Sequence, residues 1–152
     1  MRIDTVKPPK ILLVEDNADE EALAMAAFAR AGLDTARFFV VRDGQEAVDY
    51  LFGEGKHAQR NSSDLPQVVF LDINLPKLSG LEVLKRIRQD SRTLTLPVVM
   101  LTSSEEPQDV HESYRMGANS FIRKAFSLKT FVSDIKAMQG YWLKLNLVPY
   151  EH

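Results

Sequence analysis

Residues 66–76 read Pro-Gln-Val-Val-Phe-Leu-Asp-Ile-Asn-Leu-Pro. A short apolar run leads directly into a carboxylate, Asp72, and Pro76 predicts a turn soon after it because proline fixes φ and lacks a backbone N–H. An unbroken apolar run is typical of a strand in a sheet that is covered on both faces. The stretch therefore predicts a buried parallel strand that ends in an acidic side chain.

The same pattern occurs near the start of the chain, where Ile11-Leu12-Leu13-Val14 is followed by Glu15-Asp16. If the two strands lie side by side, their carboxylates meet at one edge of the sheet and repel each other. Such a pocket is unfavourable unless positive charge fills it. A divalent cation would do so together with Lys124, which ends another predicted strand.

The rest of the chain alternates between strand and helix patterns. We predict strands over 10–14, 37–41, 67–71, 97–101 and 119–122, and helices over 19–31, 44–52, 80–88, 108–116 and 128–145. The polar stretch 53–65 is predicted to be a surface loop. Strands separated by helices form right-handed βαβ units, so the predicted fold class is α/β with a doubly wound, five-stranded parallel sheet. Ligands bind such sheets beyond the carboxyl ends of the strands.

The composition limits the classes of function. The chain has 152 residues, 45% of them hydrophobic and 26% charged, which is typical of one globular domain. A net charge of −2 offers no electrostatic footprint for nucleic acid or an anionic membrane. We see no signal peptide and no apolar run as long as a membrane span, and we expect a cytoplasmic location.

The sequence gives no indication of a cysteine-based site or of a metal site built from histidines. The chain has no cysteine, which excludes disulfides, thiolate catalysis and Cys-based metal sites. The three histidines, His57, His111 and His152, lack the spacing of metal ligands. We therefore interpret all three as surface residues.

Four residues that follow the first and third strands indicate a nucleophile and a metal site. Asp72 is the candidate nucleophile, because a carboxylate can attack phosphorus and form an acyl phosphate. Mg²⁺ prefers hard oxygen ligands and retains several waters. We expect Asp16 and Asp72 to bind it directly, Glu15 to act through water, and the backbone carbonyl of Asn74 to supply a further oxygen. An acidic pair before a helix is also explained as a helix cap.

The fourth and fifth predicted strands end in two further candidates. The hydroxyl of Thr102 is placed to donate to a phosphoryl oxygen. Lys124 is placed to neutralise the carboxylates and later to pair with phosphate. Taken alone, each residue is better explained in a structural role, Thr102 as a strand-end threonine that starts a turn and Lys124 as a surface lysine.

Together and in this order, the motifs resemble the receiver domain of two-component response regulators. The resemblance covers residues 10–138 and is carried by Leu-Val-Glu-Asp at 13–16, Leu-Asp-Ile-Asn-Leu-Pro at 71–76 with Gly80 beyond, Pro-Val-Val-Met-Leu-Thr at 97–102, Gly-Ala at 117–118 and Phe-Ile-Arg-Lys at 121–124. It implies a flavodoxin-like (βα)5 fold and Mg²⁺-dependent phosphotransfer from a sensor histidine kinase to Asp72. It also implies Thr102 and Phe121 as switch residues that change the surface of the fourth helix, fifth strand and fifth helix.

One residue departs from the family pattern. Ala125 follows Lys124, where the family usually has proline in a cis peptide bond. A cis bond to a residue other than proline costs about 2.5–4 kcal/mol. The chain therefore has either a trans bond with a reshaped loop or local strain.

The carboxyl end is a second departure. We divide the chain into a tail over 1–9, a receiver domain over 10–139 and an extension over 140–152. The extension carries more apolar surface than an exposed tail should, in Tyr141, Trp142, Leu143, Leu145 and Leu147. We expect these residues to form a homodimer contact, the alternative being that the extension folds back onto its own domain. A single receiver with a Trp-containing extension resembles the regulators partnered with phytochromes, which implies a light-regulated histidine kinase as donor.

Three other functions remain open at this stage. A phosphatase of the haloacid-dehalogenase type needs a second acid two residues after its nucleophile, where this chain has Asn74. A receiver-like adaptor that is never phosphorylated is consistent with Ala125 but not with the complete set of site residues. A flavodoxin-like domain that binds a small molecule would need a phosphate-cradling loop after the first strand, which the sequence lacks.

Overall fold

The structure, a computed structural model, describes residues 10–124 and 127–149. Its five strands are β1 Ile11–Val14, β2 Phe38–Val41, β3 Val68–Leu71, β4 Val98–Thr102 and β5 Ser120–Arg123. Its α-helices are α1 Ala18–Arg30, α2 Gly44–Phe52, α3 Gly80–Gln89, α4 Pro107–Arg115 and α5 Leu128–Gln139. The strands pair in parallel in the order β2-β1-β3-β4-β5. The predicted α/β fold class is confirmed.

The central strands are buried because both faces of the sheet are covered. Successive side chains of a strand point to opposite faces, and every residue of β1 and β3 is apolar. One face packs under α1 and α5 through Ile11, Leu13, Val68 and Phe70. The other packs under α2 and α3 through Leu12, Val14, Val69 and Leu71. The two layers hold the carboxyl ends of β1 and β3 at a fixed separation.

Side-chain caps start the helices close to those strand ends. Asn17 accepts a hydrogen bond from the backbone N–H of Glu20 at the start of α1, and Asp43 does the same for Glu46 at the start of α2. Ser79 opens α3 with a reciprocal capping box. The helix amino termini therefore lie along the carboxyl edge of the sheet, where their dipoles favour negative charge.

Three predictions of local structure need correction. The final α-helix ends at Gln139, and Gly140–Leu145 continue as a wider π-helical turn. The 53–65 stretch contains a short 3₁₀ helix, Gly55–His57. His57 is not a surface residue, because its side chain is largely covered by the rings of Phe39 and Tyr50.

The extension after Gln139 packs partly on its own domain, at the amino ends of the strands. Trp142 and Leu143 pack against the core layer under α1 and α5. The side-chain amide of Gln67, which precedes β3, donates to the backbone carbonyls of both residues at 3.2 and 3.3 Å. Val148 is buried. The part of the chain that the structure describes has no helix long and apolar enough to cross a membrane.

Candidate functional site

The carboxyl ends of four strands bring the predicted site residues together. Glu15 and Asp16 follow β1, Asp72 follows β3, Thr102 is the last residue of β4 and Lys124 follows β5. Parallel pairing in register places these strand ends side by side. Residues that are up to 109 positions apart in sequence therefore meet in one crevice.

Three carboxylates form a candidate metal site. Glu15, Asp16 and Asp72 each place one oxygen within 4.8 Å of the others. Glu15 and Asp72 are buried, whereas Asp16 is exposed and gives access from solvent. Carboxylate oxygens at this spacing suit a hard cation such as Mg²⁺, which binds one or two carboxylates and keeps several waters.

Lys124 uses its three N–H donors on three carboxylates. Its Nζ donates to Glu15 Oε1, to Glu20 Oε1 at 2.9 Å and to Asp72 Oδ2 at 3.2 Å. The lysine side chain is only 6% exposed. The ammonium thus neutralises part of the buried negative charge, as the sequence predicts, but with one more acidic partner than the sequence analysis names.

The electrostatics of the cluster are coupled. Burial raises the pKa of Glu15 to about 7, against the opposing hydrogen bond from Lys124 and with a further contribution from the charge of Asp72. Burial alone would lower the pKa of Lys124. Its hydrogen bond with Glu15, the charge of Asp72 and the hydrogen bond with Glu20 outweigh that effect, so its pKa is raised. The cluster therefore has too much negative charge for its single ammonium, and the lysine stays charged.

Backbone contacts fix the position of Asp72. Its N–H donates to the carbonyl of Val14, at 3.2 Å, and its Oδ1 accepts from the N–H of Ile73 at 2.7 Å. Gly80 packs so closely behind it that a Cβ there would overlap the backbone carbonyl of Asp72. The other carboxylate oxygen faces Lys124. The side chain is held in one orientation at the base of the crevice.

Thr102 and Phe121 lie on the same face of the sheet. Their strands pair Met100 with Phe121 and Thr102 with Arg123. Thr102 is buried, and its hydroxyl oxygen accepts from the N–H of Ser104 at 3.3 Å. Phe121 is half-buried against the layer under α2 and α3. The roles of both residues in switching stay predictions.

A polar crevice of about 550 Å³ opens beside the site, between the segments that follow β3 and β4. Asn74 and Ser103 line it, together with Ser104, Glu105, Glu106 and Asp109 at the start of α4. Asn74 is exposed and keeps its place next to Asp72, so its carbonyl remains a predicted metal ligand. The crevice therefore adjoins the segments that directly follow Asp72 and Thr102.

Sequence reasoning missed Glu20 and did not settle the bond after Lys124. Glu20 lies in the first turn of α1, four residues beyond Asp16, and a helix that begins directly after β1 turns this position back toward the strand end. That spacing was the signal that could have identified it. Ala125, and with it the geometry of the Lys124–Ala125 bond, falls outside the described residues.

Most of the chain matches a known protein family. Residues 11–136 match the response regulator receiver domain. The chain belongs to this family. The resemblance inferred from the sequence motifs is thereby confirmed, and the protein is a receiver-domain signalling protein.

Two curated relatives and a solved structure match this chain over most of their own length. The chain is 37% identical over 147 residues to the probable methanogenesis regulatory protein FilR2 of Methanothrix harundinacea, covering 97% of this chain and 92% of the relative. It is 33% identical over 147 residues to the response regulator Rcp1 of Synechocystis, covering 96% and 97%. The crystal structure of the phosphorylated cyanobacterial phytochrome response regulator RcpA superposes with a TM-score of 0.82 at 36% identity, covering 93% of this chain and 98% of that one. A structure of Rcp1 holds Mn²⁺.

Proposed function

We propose that this receiver accepts a phosphoryl group on Asp72 from a sensor histidine kinase in a reaction that requires Mg²⁺. The observation that carries the proposal is the position of Asp72, which belongs to the acidic cluster and also contacts the ammonium of Lys124. The similarity to RcpA and Rcp1 supports a phytochrome kinase as the donor. The resulting signal would pass through the surface of α4, β5 and α5.

The proposed transfer exchanges one bond to phosphorus for another. An oxygen of the Asp72 carboxylate attacks the phosphorus of a phosphohistidine and forms a new O–P bond. The P–N bond breaks, its electron pair stays on the imidazole nitrogen, and that nitrogen takes up a proton from water. The product is an acyl phosphate on Asp72 and a free histidine on the kinase.

The side chains of the site then stabilise the added negative charge. A phosphoryl group adds charge and three acceptor oxygens to a crevice that already has an excess of carboxylates. Lys124 pairs with one phosphoryl oxygen, and Thr102 donates its hydroxyl to another. The Thr102 hydroxyl accepts from the N–H of Ser104, which leaves its own hydrogen free to donate, and a shift of Thr102 toward the phosphoryl group would let Phe121 on the same face change position.

The carboxylates suit a divalent cation. Asp16 and Asp72 would bind it directly, Glu15 would act through water and the Asn74 carbonyl would supply a further oxygen. When bound, Mg²⁺ offsets the charge of the phosphoryl group in the transition state. Burial raises the pKa of Glu15, with a further contribution from the charge of Asp72, and a cation bound between these carboxylates would favour their charged forms.

Intact-mass measurement with a small phosphodonor tests the proposal directly. The purified protein, incubated with acetyl phosphate and Mg²⁺, should gain one phosphoryl group. The Asp72→Asn variant should gain none, because an amide cannot form the acyl phosphate. Asp134→Asn, which changes an exposed aspartate of α5, is the matched control and should react like the wild type. Equal uptake by the Asp72 variant would refute the assignment, and omission of Mg²⁺ should slow uptake in the wild type.

We also propose a homodimer that uses the extension. Tyr141, Leu145 and Leu147 are 50%, 73% and 77% exposed, whereas Trp142 and Leu143 pack on their own domain. A shallow groove of about 560 Å³ beside them is lined by residues of β5 and α5 together with Trp142. A second copy would cover apolar surface that is unusual in a monomer.

Light scattering tests the dimer. The double variant Leu145→Ser, Leu147→Ser should shift the mass from dimer to monomer, because it removes only exposed apolar side chains. Truncation after Gly140 is a second test, although it also removes the packing of Trp142 and Val148. A double variant with an unchanged mass would rule out the extension as the dimer contact.

A further inference from the structure

The carboxylates around Lys124 differ in how easily each can lose its partner. The side chains of Glu15 and Asp72 are 2% and 6% exposed, whereas the side chain of Glu20 is 33% exposed. A buried carboxylate that loses its hydrogen bond pays a large desolvation cost, but an exposed one is rehydrated. Glu20 is therefore the partner that Lys124 can release at the smallest cost.

All three donors of the lysine ammonium are already in use. A phosphoryl group on Asp72 brings three new acceptor oxygens to the same crevice. The lysine can donate to one of them from its present contact with Asp72, at 3.2 Å, but a second contact requires it to leave another carboxylate. The negative charge of Glu20 also repels the incoming phosphoryl group.

We propose that Glu20 is a positioning residue that holds Lys124 in the unphosphorylated receiver and competes with the phosphoryl group for it. Phosphorylation then exchanges the Glu20 contact for a phosphoryl contact and frees the first turn of α1. This inference rests on the proposed phosphorylation of Asp72. The inference assigns a role to Glu20 of α1, whose contact with Lys124 destabilises the phosphorylated state relative to the unphosphorylated one.

The exchange predicts two effects of opposite sign for Glu20→Gln. Mg²⁺ should bind somewhat more weakly, because the variant removes one negative charge near the acidic cluster. Beryllofluoride, a stable mimic of the phosphoryl group, should bind about threefold to fivefold more tightly at saturating Mg²⁺, because a partly exposed charged contact has a modest energy. A variant that merely disturbed the local structure would weaken both.

Glu21→Gln is the matched control. Glu21 lies in the same first turn of α1 and loses the same charge, but its carboxylate pairs with Arg42 at 3.0 Å instead of Lys124. Any effect on the helix dipole is common to both variants. Glu20→Ala, which removes the acceptor as well as the charge, should tighten beryllofluoride binding at least as much as Glu20→Gln.

Calorimetric titration with Mg²⁺ and ¹⁹F NMR with beryllofluoride measure the two affinities, and thermal unfolding checks the fold. Opposite changes in the Glu20 variants with no change in Glu21→Gln would support the inference. Unchanged or weaker beryllofluoride binding in folded Glu20 variants would overturn it and leave the proposed function intact. Wild-type protein that binds Mg²⁺ but no beryllofluoride, and gains no phosphoryl group, would overturn both.

Discussion

The two edges of the parallel sheet are built in opposite ways. At the carboxyl edge, strand ends concentrate carboxylates around one buried ammonium, which forms ion pairs with three of them. At the amino edge, the extension after α5 lies against the sheet through apolar packing of Trp142 and two hydrogen bonds from Gln67. The first edge carries more negative than positive charge and would gain from a bound cation, whereas the second gains stability from its own contacts.

The two edges contribute differently to the free energy of unfolding. Buried carboxylates in excess cost free energy that ordinary packing must offset. The apolar layers on both faces of the sheet provide that packing. Substitutions at the two edges should therefore respond differently to Mg²⁺, and this response separates them experimentally.

The largest expected effect is that of Lys124→Ala at the carboxyl edge. The variant leaves Glu15 and Asp72 buried without their cation and should lower the free energy of unfolding by about 3–5 kcal/mol. Mg²⁺ should restore part of this loss, because it supplies the missing positive charge. Urea denaturation with and without Mg²⁺ measures both effects.

Lys129→Ala is the control for that variant. Lys129 is an exposed residue in the first turn of α5, and its removal should change little in either condition. If Lys124→Ala were as stable as the wild type without Mg²⁺, the lysine would not be the counter-ion of the cluster. If Mg²⁺ raised the free energy of unfolding equally in the wild type, Lys124→Ala and Lys129→Ala, the cation would not be replacing the charge of Lys124.

The carboxyl edge could be predicted because its residues follow directly from strand ends. Once β1 and β3 are recognised as neighbouring parallel strands, Asp16 and Asp72 must lie close together. Thr102 and Lys124 are placed in the same crevice because they stand at the carboxyl ends of β4 and β5, the next strands of the sheet. It does not place Glu20, whose contact depends on the first residue of α1 and on how that helix packs, and neither is encoded in the strand pattern.

The next effect in size comes from one substitution made at both edges. Gly80→Ala should lower the free energy of unfolding by about 2–3 kcal/mol, because its Cβ would overlap the backbone of Asp72. Gly140→Ala should be neutral or raise it by up to about 1 kcal/mol, because Gly140 has a helical φ of −58° and open space at its Cβ position. Thermal unfolding of the two variants measures the difference. If the melting temperature shifted by a similar amount in both variants, the close packing behind Asp72 would not be rigid.

Trp142→Ala tests the amino edge more directly. Loss of the partly buried ring should lower the free energy of unfolding by about 2 kcal/mol, and Mg²⁺ should not restore it, since the proposed cation site lies at the opposite edge. Leu145→Ala is the control, because that side chain is 73% exposed and its removal should leave the stability of the monomer unchanged. Urea denaturation at a protein concentration that favours monomer makes the comparison. A Trp142 variant as stable as the control would mean that the extension contributes no packing energy.

The amino edge was predicted less well for a physical reason. The apolar face of α5 is readable from its helical spacing, and its residues do pack on the sheet. The sequence does not reveal that the helix widens at Gly140, so the direction of Trp142 could not be derived from a regular helical repeat. The choice between own-domain packing and a dimer contact depends on that direction. In the structure, Trp142 and Leu143 pack on their own domain, whereas Tyr141, Leu145 and Leu147 are exposed.

The smallest expected effect belongs to Glu46, a carboxylate that belongs neither to the acidic cluster around Lys124 nor to the extension after Gln139. Burial alone would raise the pKa of Glu46, but hydrogen bonds with His57 and Lys56 outweigh it, and the pKa is lowered. A lowered carboxyl pKa stabilises the fold above the unfolded-state value of about 4.5, and this contribution is lost as the pH falls through the folded-state value.

Glu46→Gln should therefore cost about 0.5–1 kcal/mol at neutral pH and little at pH 3. The melting temperature measured from pH 7 to pH 3 should fall less steeply below pH 4.5 in this variant than in Glu105→Gln, which changes an exposed residue. Parallel curves would show that Glu46 contributes nothing through its charge. The result sharpens the contrast with Glu15, because burial raises the pKa of that carboxylate, whereas hydrogen bonds with His57 and Lys56 lower the pKa of the partly buried Glu46.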